Sequence, residues 1–225
     1  MAKLLVYDLE TTGVNHWQHG IHQISGMIII DGHIKETFDI KCKPHHSALI
    51  EQSALEVGGI TLEQIQAYPD QITAYSQLVS ILSKYVDKFN KADKFHLVGY
   101  NNSSFDNQFL RAFFTQCFDK YFGSWFWADT IDVMVLASVE LQGIRPTLPN
   151  FQLKTVANAL DLVVDESKLH DAQYDLELTY GIYKMLLNKD SRLQMHRDST
   201  VGLWATDKPE IIPAESKHLF FEITF

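Results

Sequence analysis

"LLVYDLETTG", residues 4–13, reads as a strand that carries two residues a strand of this kind should avoid. Leu4, Leu5, Val6, Tyr7 and Leu9 form a mostly apolar row, while Asp8 and Glu10 are carboxylates, which ordinarily stay in water. Residues two apart on a strand face the same side, about 6–7 Å from one another. Asp8 and Glu10 therefore converge on one spot. Two like charges there repel and raise each other's pKa unless a cation lies between them. "TTG" follows at once and turns the chain, which makes backbone N–H groups available. A plainer alternative is a strand end that frays into solvent with two exposed acids.

Outward from this strand, residues 22–42 read as a hairpin, with "MIII" and "IKETFDI" flanking Asp31-Gly32, a signal for a tight two-residue turn. With the strand over 3–9, three antiparallel strands follow in a row. Residues 61–90 look helical and are broken at Pro69, with Ile72, Tyr75, Leu78, Val79, Leu82, Val86 and Phe89 at helical spacing. A strand is expected over 95–100 and a helix from about Ser104 to Phe122. A strand over 125–129 is followed by a helix in "IDVMVLASVEL", a short helix in "NFQLKTVANAL", and a longer one over about 171–188. Strands first, then strands alternating with helices, indicate an α/β layer fold, a mixed sheet flanked by helices. Residues 190–225 differ in character and read as a C-terminal extension, a β-hairpin or a partner-binding tail, beside a domain over 1–189.

The 225 residues suit one large domain, or one domain with an extension. No run of eighteen apolar residues occurs and the chain enters a strand almost at once, so neither a membrane span nor a signal peptide is expected. Cys42 and Cys117 make no disulfide framework and match no zinc spacing, in keeping with a cytoplasmic protein. A net charge of −9 argues against a broad basic face that grips many phosphates. It leaves open an enzyme that holds one strand end through metal ions, with a partner that delivers the substrate.

Three further residues share the position of the first two acids, at the end of a strand or the start of a helix. Asp106 lies just after a predicted strand, although Ser103 and Asp106 also have the spacing of a helix-capping box. His170 and Asp175 open the long helix. Tyr174, Leu178, Ile182 and Leu186 form its apolar stripe, extended by Met185, and Asp175 lies one position off it. Here too a cap at Asp171 and a solvated Asp175 are the plainer alternative. In open α/β sheets such ends line the functional crevice. Carboxylates are the ligands that hard cations prefer, and two divalent ions can clamp the attacking and leaving oxygens of a phosphoryl displacement. An imidazole beside them can take a proton from the attacking water near neutral pH.

"DLETTG", Phe105-Asp106 and "HDAQYD" together resemble the three motifs of the DEDD exonuclease superfamily, in the DnaQ-like branch with histidine in the third motif. His170 lies five residues before Asp175, and the tyrosine branch would want Tyr where this chain has Asp171. The resemblance runs over about residues 3–188 and includes "ALEVGGIT" at 54–61 and "LPNFQLKTVANAL" at 148–160. It implies a ribonuclease H-like fold with a five-stranded mixed sheet and 3′→5′ hydrolysis of nucleic acid, here single-stranded DNA ends, to nucleoside monophosphates. By the same resemblance Asp8 would bridge two divalent ions, Mg²⁺ or Mn²⁺. Glu10 and Asp175 would serve the ion that activates water, Asp106 would reach the second, and His170 would be the general base. Leu9, Thr11, Thr12 and Gly13 would hold the terminal nucleotide, with Asn101 or Asn102 and Phe105 from the second motif beside them. Gly58 stands where many relatives carry a histidine, and "VGYNNSSFD" with "IDVM" is similar to the exonuclease I branch.

Motif residues do not separate DNA from RNA, so an RNA-trimming enzyme belongs to the same reading. A catalytically silent binding module on this fold is the alternative from another class. A polymerase or a sliding clamp is a candidate partner, because "SKHLFF" at 216–221 is similar to clamp-docking peptides, although Ser216 replaces their glutamine. His16, His19 and His22 follow at three-residue intervals but lack a fourth zinc ligand, and read better as a mobile polar loop at the mouth of the cleft. Phe105, Phe109, Phe113 and Phe114 follow helical spacing and read as core before they read as base-stacking platforms.

Overall fold

Alternation along the first strand sets the architecture of the computed structural model, which describes residues 2–168 and 172–199. Strand β1 (Lys3–Thr11) is the middle of a five-stranded sheet completed by β2 (Ile21–Ile30), β3 (His33–Lys41), β4 (Phe95–Gly99) and β5 (Phe126–Asp132), in the order β3-β2-β1-β4-β5. The pairs β1/β2 and β2/β3 are antiparallel, while β1/β4 and β4/β5 are parallel. This is the expected mixed sheet. Asp31 and Gly32 form its first turn with φ of 49° and 79°. Two consecutive positive values suit the right-handed twist of the flanking strands, which is why Asp-Gly signals a hairpin.

Because side chains alternate, Leu5, Tyr7 and Leu9 enter the core on one face of the sheet, and Leu4 and Val6 the core on the other. The first core packs against α3 (Gln71–Ser83) and α4 (Asp106–Gln116), chiefly through Leu78, Leu82, Phe109, Phe113 and Phe114. The second packs against α6 (Val133–Glu140), α7 (Leu153–Ala159) and the start of α8 (Ala172–Ser199), through Ala137, Val156, Leu176 and Ile182. The remaining helices are α1 (Gln52–Val57), α2 (Leu62–Ala67) and α5 (Phe122–Trp125). Asp8 and Glu10 continue the row of Leu4 and Val6, and so point to the side from which α8 approaches.

Several boundaries differ from the sequence expectation. Strand β1 continues to Thr11, with a bulge between Glu10 and Thr11, so the turn begins later than residue 9. Helix α3 stops at Ser83 and leaves Phe89 85% exposed, off the apolar stripe assigned to it. Helix α4 stops at Gln116, and Trp125 lies buried in α5 instead of opening a strand. Helix α8 runs to Ser199, since residues 189–199 contain no Gly or Pro to break it. The chain divides into two compact units, Met1–Leu186 and Leu187–Phe225, of which the first holds the sheet. A β-hairpin or clamp-docking role for residues 200–225 lies outside the described residues. Among the described residues, no helix is long and apolar enough to cross a membrane.

Candidate active site

Four carboxylates from three elements act on one another at the end of β1. Asp8 is half-buried there, and its carboxyl is raised well above the usual range. Burial is the main cause, followed by the charges of Asp106, Glu10 and Asp175. Asp106, the first residue of α4, is only 5% exposed. Burial pushes its carboxyl up to about 7, opposed by hydrogen bonds from its own N–H and that of Leu9, and reinforced by Glu10 and Asp132. The Leu9 backbone N–H lowers Asp8 as well, so one backbone group at the strand end acts on both acids. Asp175 comes from the first turn of α8. His170 lies outside the described residues.

Neighbouring side chains fix these elements. The Tyr7 hydroxyl donates to Asn107 Oδ1 at 2.6 Å, which ties β1 to α4 one residue beyond Asp106. A Cβ placed on Gly58 would lie 3.8 Å from Glu10 Oε2, so the end of α1 borders the same acids. Among the described residues, no three His, Cys, Asp or Glu side chains are grouped so as to hold a metal ion as they stand. The donor set nevertheless fits hard divalent cations. All four are carboxylates, and the rise in Asp8 and Asp106 is the repulsion and desolvation that a bound cation relieves.

The structure also shows a residue that the sequence reading passed over. Asp132, 6% exposed at the end of β5, accepts hydrogen bonds from the N–H groups of Asn101 (3.0 Å), Ser103 (3.1 Å) and Met134 (3.0 Å), and from the Ser103 hydroxyl. It caps α6 and at the same time anchors the turn that delivers Asp106. The cap was legible, since Asp precedes an apolar helical run. The second role was not, because it joins residues far apart in sequence. With Ser103 engaged there, the capping box with Asp106 does not form, and α4 has no side-chain cap.

The two asparagines divide their work. Asn101 takes a left-handed φ of 62°, and its Oδ1 accepts from the Ser104 hydroxyl at 2.7 Å. Asn102 is fully buried and its amide nitrogen donates to Thr130 Oγ1 at 3.0 Å, so this side chain is engaged inside the fold. Phe105 is half-buried against the first core.

The segment after β1 is a tied loop, in contrast to the mobile one expected. Thr12 is buried; its hydroxyl donates to the Leu49 carbonyl at 2.7 Å and accepts from the Gly20 N–H at 3.0 Å. The Thr11 hydroxyl donates to the Gly13 carbonyl at 2.8 Å, and Leu9 is buried. Gly13 must be glycine, because a Cβ there would lie 2.5 Å from the His19 ring. His19 is buried, with Nδ1 accepting from the Asn15 N–H at 3.0 Å and Nε2 facing Glu51 Oε1 at 3.0 Å. His22 is also buried; burial first, then Lys41, lowers its pKa to about 4. His16 instead faces the rings of Trp17 and Phe109. Each histidine therefore has its own surroundings and none joins another as a zinc site.

Comparison with known proteins gives relatives in sequence and in fold. Over 182 residues the chain is 26% identical to a DNA polymerase III of PolC type from Mycoplasmopsis pulmonis, covering 80% of this chain and 11% of that protein. Over 188 residues it is 27% identical to exodeoxyribonuclease I from Escherichia coli, covering 76% of this chain and 38% of that protein. The chain thus spans well under half the length of these relatives. The crystal structure of E. coli exonuclease I in complex with a dT13 oligonucleotide shares the fold, with a TM-score of 0.66 and 22% identity over 87% of this chain and 43% of that one. Residues 5–183 match the RNase_T model, described as "Exonuclease", and by that match the chain belongs to this exonuclease family.

Proposed function

We propose that the chain is a metal-dependent 3′→5′ exonuclease that acts on single-stranded DNA ends and releases nucleoside monophosphates. The observation that carries this reading is the group of four acids, Asp8, Glu10, Asp106 and Asp175, whose charges raise one another at the end of β1. These acids would hold two divalent ions, Mg²⁺ or Mn²⁺, which when bound supply an activated water and neutralise charge on the phosphate. The chain's own residues do the rest. The segment from Leu9 to Gly13, pinned from behind by Thr12 and His19, orients the terminal nucleotide. The turn held by Asp132 presents Asp106 at the start of α4, next to the end of β1. His170 takes the proton of the water as its oxygen bonds to phosphorus and the 3′ oxygen of the preceding nucleotide leaves. Single-stranded DNA as substrate is supported by the oligonucleotide complex of E. coli exonuclease I, and a proofreading setting beside a polymerase by the PolC-type relatives.

The test is a 5′-labelled strand incubated with the purified protein, with matched DNA and RNA, single and paired. The single DNA strand is expected to shorten from its 3′ end with Mg²⁺ or Mn²⁺ and to stay intact with chelator. Absence of metal-dependent cleavage of any of the four substrates would instead mark a binding module. In the same assay His170→Ala is expected to lower kcat by roughly a hundredfold while KM changes little, as loss of a general base should. An unchanged kcat would remove His170 from that role.

A further inference from the structure

Trp17 is 85% exposed, on a loop whose backbone is tied throughout. The Thr12 N–H donates to the Gly20 carbonyl at 2.9 Å, and the N–H groups of Gln18 and His19 donate to the Asn15 carbonyl at 2.9 and 2.8 Å. The Leu49 N–H reaches the Gln18 carbonyl at 2.7 Å, and Trp17's own N–H reaches Asn15 Oδ1 at 3.0 Å. An indole held out from so anchored a loop forgoes the burial that a ring of this size usually gains.

Its neighbours point towards the acids. The ring centroid of Trp17 lies 4.7 Å from that of His16, His16 lies 6.1 Å from Phe109, and Phe109 lies 5.0 Å from Phe105. Phe105 directly precedes Asp106. Buried Phe109 is the base of this series, His16 and Phe105 are half-buried, and Trp17 is its outer end. A row of rings thus leads from solvent to the first turn of α4. With a net charge of −9, the chain gains little from a phosphate backbone beyond the metal-held strand end, so its hold on the rest of a strand calls for terms that do not depend on phosphate. Stacking on bases is such a term, and it requires unpaired bases with free faces.

We infer that Trp17 stacks on a base of the bound single strand upstream of the terminal nucleotide, making residues 14–18 a second subsite for unpaired nucleic acid. This inference rests on the proposed exonuclease function and specifies how the strand is held. Two substrates separate the subsite from the chemistry: a single-stranded oligothymidylate, and the p-nitrophenyl ester of thymidine 5′-monophosphate, which fills only the terminal position. Trp17→Ala is expected to raise KM for the oligonucleotide about tenfold and to leave KM for the ester and both kcat values unchanged. Trp17→Phe should recover most of the affinity. Equal KM values for wild type and Trp17→Ala on the oligonucleotide would overturn the inference, as would equal losses on both substrates.

Binding of a fluorescein-labelled oligothymidylate, read by anisotropy in chelator, keeps the two questions apart. About tenfold weaker binding by Trp17→Ala supports the subsite even if no cleavage is seen. Unchanged binding overturns it whatever the nuclease result.

Discussion

Asp8→Asn is expected to leave a folded protein whose cleavage rate is lower by about a thousandfold or more. Asp8 is the acid on which the other three charges act, and in the proposed function it would hold metal together with them. Loss of one bound ion's effect on transition-state charge is worth several kcal/mol, and about 4 kcal/mol already corresponds to a thousandfold. The same substitution removes a charge that Asp106, Glu10 and Asp175 oppose. Without metal, therefore, Asp8→Asn should unfold at a temperature equal to or above that of wild type. Calorimetric melts beside the rate measurement check both halves. A melt several degrees lower would show that Asp8 serves the fold, and the loss of rate would then say nothing of chemistry.

The second large effect is on stability against pH. Asp106 has an ordinary carboxyl pKa of 3.8 when unfolded and is raised to about 7 in the folded chain. Between those values the folded state holds a proton that the unfolded state has lost, so stability falls as pH rises through this window. For Asp106 alone the fall is about 4 kcal/mol, complete once pH exceeds the folded value, and Asp8 acts in the same direction. The metal-free protein should therefore melt at a markedly lower temperature at pH 8 than at pH 5. Added Mg²⁺ or Mn²⁺ should restore most of the difference at pH 8 and do little at pH 5, because protons and cations compete for the same oxygens. Asp106→Asn should remove its own share of the slope and leave the share due to Asp8. A metal-free melting temperature that is flat or rises from pH 5 to 8 would contradict the assignment.

Much of this site was legible because it depends on local periodicity. The two-residue period places Asp8 and Glu10 on one face, and the structure shows that face to be the one α8 meets. The stripe of Tyr174, Leu178, Ile182 and Leu186 does pack into the second core, with Asp175 beside it. What was not legible depends on distant partners or on backbone states that the residue type hides. Asp132 gathers Asn101, Ser103 and Met134 from two segments, which no spacing reveals. Helix α4 ends because Phe118 takes a left-handed φ of 61°, with the Asp119 N–H bonded to the Phe114 carbonyl and the Phe118 N–H to the Thr115 carbonyl. Glycine usually marks that arrangement, and a phenylalanine gives no warning of it. His19 looked like one of three equivalent loop histidines, yet it is the buried support beneath Gly13.

The most direct measurement is mononucleotide release from one 5′-labelled single DNA strand, by wild type and Asp8→Asn purified in parallel and assayed with Mn²⁺. The account predicts a ladder of products shortened from the 3′ end for wild type and an intact strand for the variant. Equal release by the two preparations would contradict it, since the acids at the end of β1 would then have no part in the cleavage.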